Sequence, residues 1–269
     1  MTLYSNKLQT SAASNKLCKA FGIKVSANTQ VVQIAHNAGF DSLFIDLEHG
    51  WLSLEETRNL CHFGLLAGIT PFVRVPHQCG NGFVQRILDG GAMGIIFPHI
   101  HSAADAEEAV RICKYPPRGC RSMTGQLPQF EMKPQTPEEI IGKSNKFSST
   151  VFAMIESRSA VERAEEIAAV DGVDVILIGS LDLSIDLGVP AQFESDTYRR
   201  AVETVSKACR ACEKIFGIAG IYDKPAIQDW AINELRARFM LVQQDISLIA
   251  RGGVEAVRAV PTVKGSKEI

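Results

Sequence analysis

Along the chain, short apolar runs rich in β-branched and aromatic residues alternate with longer segments whose apolar positions recur every three or four residues. The runs are KAFGIKV (19–25), DSLFID (41–46), TPFVRV (70–75), MGIIFP (93–98), TVFAMIE (150–156), DVILIG (174–179), IFGIAG (215–220) and RFMLVQ (238–243). Between them lie helix-like stretches such as TQVVQIAHNAG, SLEETRNLCHFGLLAG and SAADAEEAVRICK. A strand that is apolar throughout, rather than at alternate positions, is buried on both faces, as strands of parallel sheets are. Eight such strands, each leading into a helix, predict an α/β chain folded as a (β/α)8 TIM barrel. A doubly wound open sheet is the alternative. It usually shows a Gly-rich phosphate turn after its first strand, and GIKVSANTQ shows none.

Two local signals refine this pattern. SAVERAEEIAAV predicts a helix opened by Ser159 as N-cap, with Glu162 completing a capping box. Residues 115–149 break the rhythm, holding five of the eleven prolines between the fourth and fifth strands. A connection that long is usually functional or a lid, and it is expected to help choose the second substrate. Within it, Thr136 is placed to cap a short helix.

Composition narrows the class. The chain has 269 residues and 46% hydrophobic content, which suits a single barrel domain over 1–269 with its core at about 17–255. A formal net charge of −2 and the lack of any Lys/Arg cluster argue against nucleic acid as a partner. No apolar run reaches the length of a membrane span, and the N-terminus lacks a secretory h-region, so a cytoplasmic protein is expected. Seven scattered cysteines read as reduced thiols; Cys209 and Cys212 have CxxC spacing but no second ligand pair nearby.

In a barrel, chemistry gathers where strands end and lead into helices. Here those positions hold Asp46, Glu48 and His49 after the second strand, Arg74 on the third and His99 after the fourth. Glu156 ends the fifth, and the sixth runs into Gly179-Ser180-Leu181-Asp182. Each has a plain alternative: a structural ion pair for Arg74, helix caps for Glu156 and Asp182, solvated loop residues for the histidines. Arg74, flanked by apolar residues, needs an anionic partner. Two carboxylates on neighbouring strand ends suit a hard divalent cation, Mg²⁺ or equally Mn²⁺ or Co²⁺. With Arg74 to hold developing negative charge and His49, oriented by Asp46, to carry a proton, the set describes enolate chemistry beside a carbonyl.

The segments FIDLEHG, PFVRVP, ILDGGAMGIIFPHI, YPPRGCRSM and IESRSAVERAEEIAAVDGVDVILIGSLDLSIDLGVP resemble the HpcH/HpaI aldolase (citrate lyase-like) family, from about residue 17 to 255. The resemblance implies a barrel whose C-terminal helix is swapped between subunits, in a homohexamer built as a trimer of dimers. It implies a metal-dependent carbon–carbon lyase that cleaves a 4-hydroxy-2-oxo acid to pyruvate and an aldehyde through a pyruvate enolate. By position, Glu156 and Asp182 would be metal ligands, Arg74 would hold the keto oxygen, and His49 would be the base with Asp46 behind it. The backbone of Gly179 and Ser180 would hold the substrate carboxylate. Met154, His77-Gln78-Cys79 and Arg121-Ser122 depart from the bacterial pattern. With His99, these departures are more like the macrophomate synthase branch, which decarboxylates oxaloacetate and adds the enolate to a second substrate. An oxaloacetate decarboxylase is therefore the alternative activity, and a non-catalytic metabolite-binding homologue is a third.

Overall fold

The computed structural model describes residues 3–263, and its strands lie where the apolar runs predict them. They are β1 (Cys18–Ile23), β2 (Ser42–Asp46), β3 (Thr70–Arg74), β4 (Gly94–Phe97), β5 (Thr150–Ile155), β6 (Val175–Gly179), β7 (Ile215–Ala219) and β8 (Phe239–Gln244). All neighbours pair in parallel and β8 returns to β1, closing the sheet in chain order. The expected (β/α)8 barrel is the architecture observed, and the open sheet is not.

Helices cover the outside. α1 (Lys7–Ala13) precedes β1. α2 (Gln30–Asn37), α3 (Leu54–Ala67), α4 (Asn81–Asp89) and α5 (Ala103–Cys113) follow β1 to β4 in turn. α6 (Pro137–Lys143) lies in the long connection; α7 (Arg158–Glu162) and α8 (Ala164–Ala169) follow β5. α9 (Ser180–Asp186) and α10 (Asp196–Ala211) follow β6, α11 (Pro225–Asp229) follows β7, and α12 (Asp245–Ala259) follows β8. Thr136 caps α6 as expected, in a reciprocal box with Glu139. The expected cap at Ser159 is corrected: Ser157 caps α7, its hydroxyl accepting the Ala160 N–H at 3.3 Å. Only Glu156 separates β5 from Ser157, so the helix must start two residues earlier than the sequence pattern suggested.

A period of two sorts each strand. One set of side chains packs under the helices, and the other fills the barrel. Reading inward positions from strand start to strand end, β2 gives Ser42, Phe44 and Asp46, and β3 gives Thr70, Phe72 and Arg74. β5 gives Thr150, Phe152, Met154 and Glu156. The middle layer is aromatic: Phe72 meets Phe152 edge-on with centroids 4.9 Å apart, and Phe152 meets Phe239 at 5.1 Å. Such pairs contribute about 0.5–1.5 kcal/mol each beyond their burial. They form a dry floor beneath the charged ends of the strands.

The 115–149 connection does not reach that charged end. It follows a helix and feeds the start of a strand, so it lies on the opposite face of the barrel. Tyr115, Leu127, Phe130 and Ile140 make a small core of their own there. Gln129 donates to the carbonyls of Leu88 and Ala92 at 2.6 and 2.9 Å, and Arg121 pairs with Asp89 at 2.7 Å. Its expected part in choosing a substrate is therefore not played in this chain's own cavity. At the C-terminus, α12 turns away from the barrel and exposes Ile249, Val254 and Val257.

Candidate active site

The hub of the site is Arg74. Asp46 and Arg74 are register partners on adjacent strands and both face inward. The guanidinium donates through Nε to Asp46 Oδ1 at 3.0 Å and through Nη2 to Oδ2 at 2.7 Å, a two-pronged pair. Nη1 meets Glu48 Oε2 at 2.8 Å. Burial alone would lower the Arg74 pKa, but Asp46, Glu48 and Glu156 outweigh it and hold the guanidinium firmly charged. Burial likewise works to raise the Asp46 carboxyl; its hydrogen bonds to Arg74 and the guanidinium charge prevail and keep it below the usual carboxylate range. A guanidinium has five N–H groups. These contacts use three, so one on Nη1 and one on Nη2 are left for an incoming oxygen.

Asp46 also accepts the backbone N–H groups of Glu48 and His49, at 3.1 and 3.3 Å, which folds the turn after β2. Its expected role as orienter of the His49 ring is corrected by this geometry. The carboxylate is spent on Arg74 and the turn, and the half-exposed imidazole leans on Glu48 instead, Nε2 to Oε2 at 3.6 Å. Glu48, which the sequence presented only as part of a polar cluster, bridges Arg74, His49 and His99.

His99 stands between two acids. Its Nε2 is 3.2 Å from Glu48 Oε1, and its Nδ1 is 3.4 Å from Glu156 Oε2. Its backbone N–H donates to the same Glu156 oxygen at 2.9 Å, with His99 in the left-handed region at φ 54. Burial is the main reason the Glu156 carboxyl is pushed up to about 7, against opposing contributions from His99 and Arg74. Glu156 fits only because residue 179 is glycine: a Cβ there would lie 2.3 Å from Glu156 Oε1.

Glu156, Asp182, His49, Arg74, Met154, Gly179 and Ser180 line one cavity of ≈ 290 Å³. The structure thus gathers the candidate residues at one mouth, with His99 behind Glu156 and Asp46 behind Arg74. Three further lining residues, Lys24, Tyr222 and Gln244, were not found from the sequence. The inward register Cys18, Ala20, Gly22 extends to Lys24 and could have found it.

The donor set fits a divalent cation. Asp46, Glu48, Glu156 and Asp182 outnumber Arg74 and Lys24 by two charges, which one such ion would balance. Among the described residues no cluster of three or more His, Cys, Asp or Glu is arranged to hold a metal. The protein would then supply two carboxylates and leave the remaining positions to water and substrate, as Mg²⁺ prefers. A bound cation would also reverse the cost of ionising Glu156.

Comparison with known proteins places this geometry. The HpcH/HpaI aldolase/citrate lyase family profile matches residues 24–223. A 4-hydroxy-4-methyl-2-oxoglutarate aldolase of Hapsidospora irregularis is 52% identical over 264 residues, covering 98% of both chains. A protein of the same name from Chaetomium globosum is 53% identical over 258 residues, covering 96% of each. Among solved structures, an HpcH/HpaI aldolase from Desulfitobacterium hafniense superposes with a TM-score of 0.86 at 30% identity, over 94% of this chain and 97% of its own. Macrophomate synthase shares the fold, with a TM-score of 0.76 at 23% identity. The aldolase class expected from the sequence, that of carbon–carbon lyases, agrees with these relatives, and the chain belongs to the HpcH/HpaI aldolase/citrate lyase family.

Proposed function

We propose that the protein is a divalent-metal-dependent aldolase that cleaves 4-hydroxy-4-methyl-2-oxoglutarate, or a close 4-hydroxy-2-oxo diacid, to pyruvate. The observation that carries this reading is Arg74, locked between Asp46 and Glu48 with two N–H groups left, on a cavity that also holds Glu156 and Asp182. Glu156 and Asp182 would hold the cation, which when bound polarises the 2-oxo group as a Lewis acid. Arg74 binds the 2-oxo oxygen and steadies the charge that grows on it. The backbone of Gly179 and Ser180 holds the C1 carboxylate. His49 takes the proton of the C4 hydroxyl. The C3–C4 bond then breaks: C4 becomes the keto carbon of one pyruvate, and C1–C3 leave as the enolate of the other. That enolate takes a proton at C3, completing the second pyruvate. Phe44 and Met154 on the cavity floor help keep water from C3 until cleavage is complete.

The test is pyruvate release from 4-hydroxy-4-methyl-2-oxoglutarate with and without EDTA. Two pyruvates per substrate, abolished by EDTA and restored by Mg²⁺ or Mn²⁺, are expected. No release with either metal sinks the proposal. The placement of His99 against Glu156, one of the two residues that would hold the cation, favours oxaloacetate decarboxylation as a second activity, since loss of CO₂ leaves the same enolate. A homo-oligomer formed by exchange of α12 is part of this reading, supported by the exposed Ile249, Val254 and Val257 on that helix. The seven cysteines are all free thiols, which suits the cytoplasm.

A further inference from the structure

The catalytic groups named above come from the ends of β2 to β6. The rest of the cavity wall comes from β1, β7 and β8, and it carries a different chemistry. Lys24 lies one residue beyond β1 in the register that points Cys18, Ala20 and Gly22 into the barrel, and it lines the cavity. Among the described residues no carboxylate or carbonyl meets its Nζ. Its backbone, by contrast, is fixed: the Asp245 carboxylate accepts the N–H groups of Lys24, Val25 and Ser26 at 3.0, 3.0 and 2.8 Å. A lysine whose backbone is held in place and whose ammonium has no partner among the described residues is placed to meet an anionic ligand in the cavity.

Two neutral donors line the same cavity. Gln244 Nε2 donates to the Tyr222 hydroxyl at 2.8 Å, so the phenol oxygen is already an acceptor and its own proton is left for a ligand. Burial pushes the Tyr222 phenol up to about 12, so that proton stays in place at neutral pH.

We propose that Lys24, with Tyr222 and Gln244, forms the subsite for the distal carboxylate of a 2-oxo diacid and makes this cavity selective for dicarboxylic substrates. The inference rests on the aldolase reading, which places the 2-oxo acid end at Arg74, Glu156 and Asp182. The competing direction is the hollow beyond His99, whose lining includes Asp105 and Glu108. Those acids repel a carboxylate, whereas Lys24 attracts one. In 4-hydroxy-4-methyl-2-oxoglutarate the group held here becomes the carboxylate of the pyruvate formed around C4, not of the one formed from the enolate.

Binding of 2-oxoglutarate and of 2-oxopentanoate, in the presence of Mg²⁺, tests the subsite by titration calorimetry. The two acids share a five-carbon chain and differ in the distal carboxylate, and neither has the hydroxyl needed for cleavage. The wild type is expected to bind the diacid about 10–100-fold more tightly, the range of one charge-assisted contact with a supporting donor. Lys24→Met should bring that ratio to within about twofold, Lys24→Arg should retain most of it, and Tyr222→Phe should lower it severalfold. Equal binding of the two acids by the wild type overturns the subsite and leaves the aldolase reading standing. A full preference surviving in Lys24→Met, or an equal weakening of both acids, overturns it as well. Failure of the wild type to bind either acid removes the aldolase reading and the subsite with it.

Discussion

The two ends of the same strands handle polar groups in opposite ways. At the start of β2, β3 and β5 the inward residues are Ser42, Thr70 and Thr150, and every one is met by a neutral local partner. Ser42 Oγ is 3.3 Å from Cys18 Sγ; Thr70 accepts the Lys7 N–H at 2.9 Å; Thr150 accepts from Asn6 Nδ2 at 2.9 Å. α1, with Leu8 fully buried, stoppers this end. At the far end of the same strands stand Asp46, Arg74 and Glu156, four residues beyond the hydroxyl in β2 and β3 and six beyond it in β5. There the acids exceed the bases and a guanidinium keeps two donors in reserve. One end spends its hydrogen bonds on the fold. The other withholds some of them, and the excess is what an ion and a substrate can use.

That contrast can be broken at several points. The largest effect is expected at the withheld end. Glu156→Gln should lower the rate of pyruvate formation by roughly 10³-fold, as loss of one essential charge does. Its melting temperature without metal should hold or rise, because a carboxylate that is costly to ionise has been removed. A steep fall in melting temperature would show that Glu156 serves the fold. Arg74→Met should lose activity and stability together, with about 3–5 kcal/mol lost in denaturant unfolding because Asp46 and Glu48 are left buried and unpaired. Unchanged stability would mean that the acids find water instead. At the other end, Thr70→Val strands the Lys7 N–H and should cost about 1–3 kcal/mol in unfolding free energy with pyruvate formation unaffected.

The smallest effect concerns acid. Asp46 titrates below its ordinary value in the folded protein, so it stabilises the fold above about pH 4 and that contribution fades as pH falls through the folded value. Asp46→Asn should therefore be less stable at neutral pH yet lose stability more gently below about pH 4. Parallel acid limbs for the two proteins would show that the Arg74 pair adds nothing to the acid response.

The sequence was most readable where one signal sufficed. Eight apolar runs gave eight strands, because burial on both faces leaves no room for polar alternation. Polar residues at the run ends gave Asp46, Arg74 and Glu156, because only the mouth of a barrel lets such groups face a cavity. The hidden parts needed three-dimensional bookkeeping. Gln244 escapes a period-two reading because the pairing of β8 with β1 slips between Ala20 and Phe21, so counting on from Phe239 and Leu241 points to residue 243 instead. Tyr222 sits past the end of β7, where no strand register applies. Lys24 continues the inward register of β1 and so could have been found, but by itself it resembles any solvated lysine. The 115–149 connection misled through its length alone; that it enters from a helix and leaves into a strand was the better guide.

The closure of β1 against β8 has a consequence in time. The pairing joins residues more than two hundred apart in sequence, the most distant contact in the barrel, and loop closure of that kind comes late in folding. Arg74, Asp46 and Glu48 can meet as soon as β2 and β3 associate. Lys24 cannot be pinned until Asp245 has been synthesised and has come home. A growing chain would thus acquire its reactive corner before its means of telling one acid from another, and would gain discrimination only as the ring shuts.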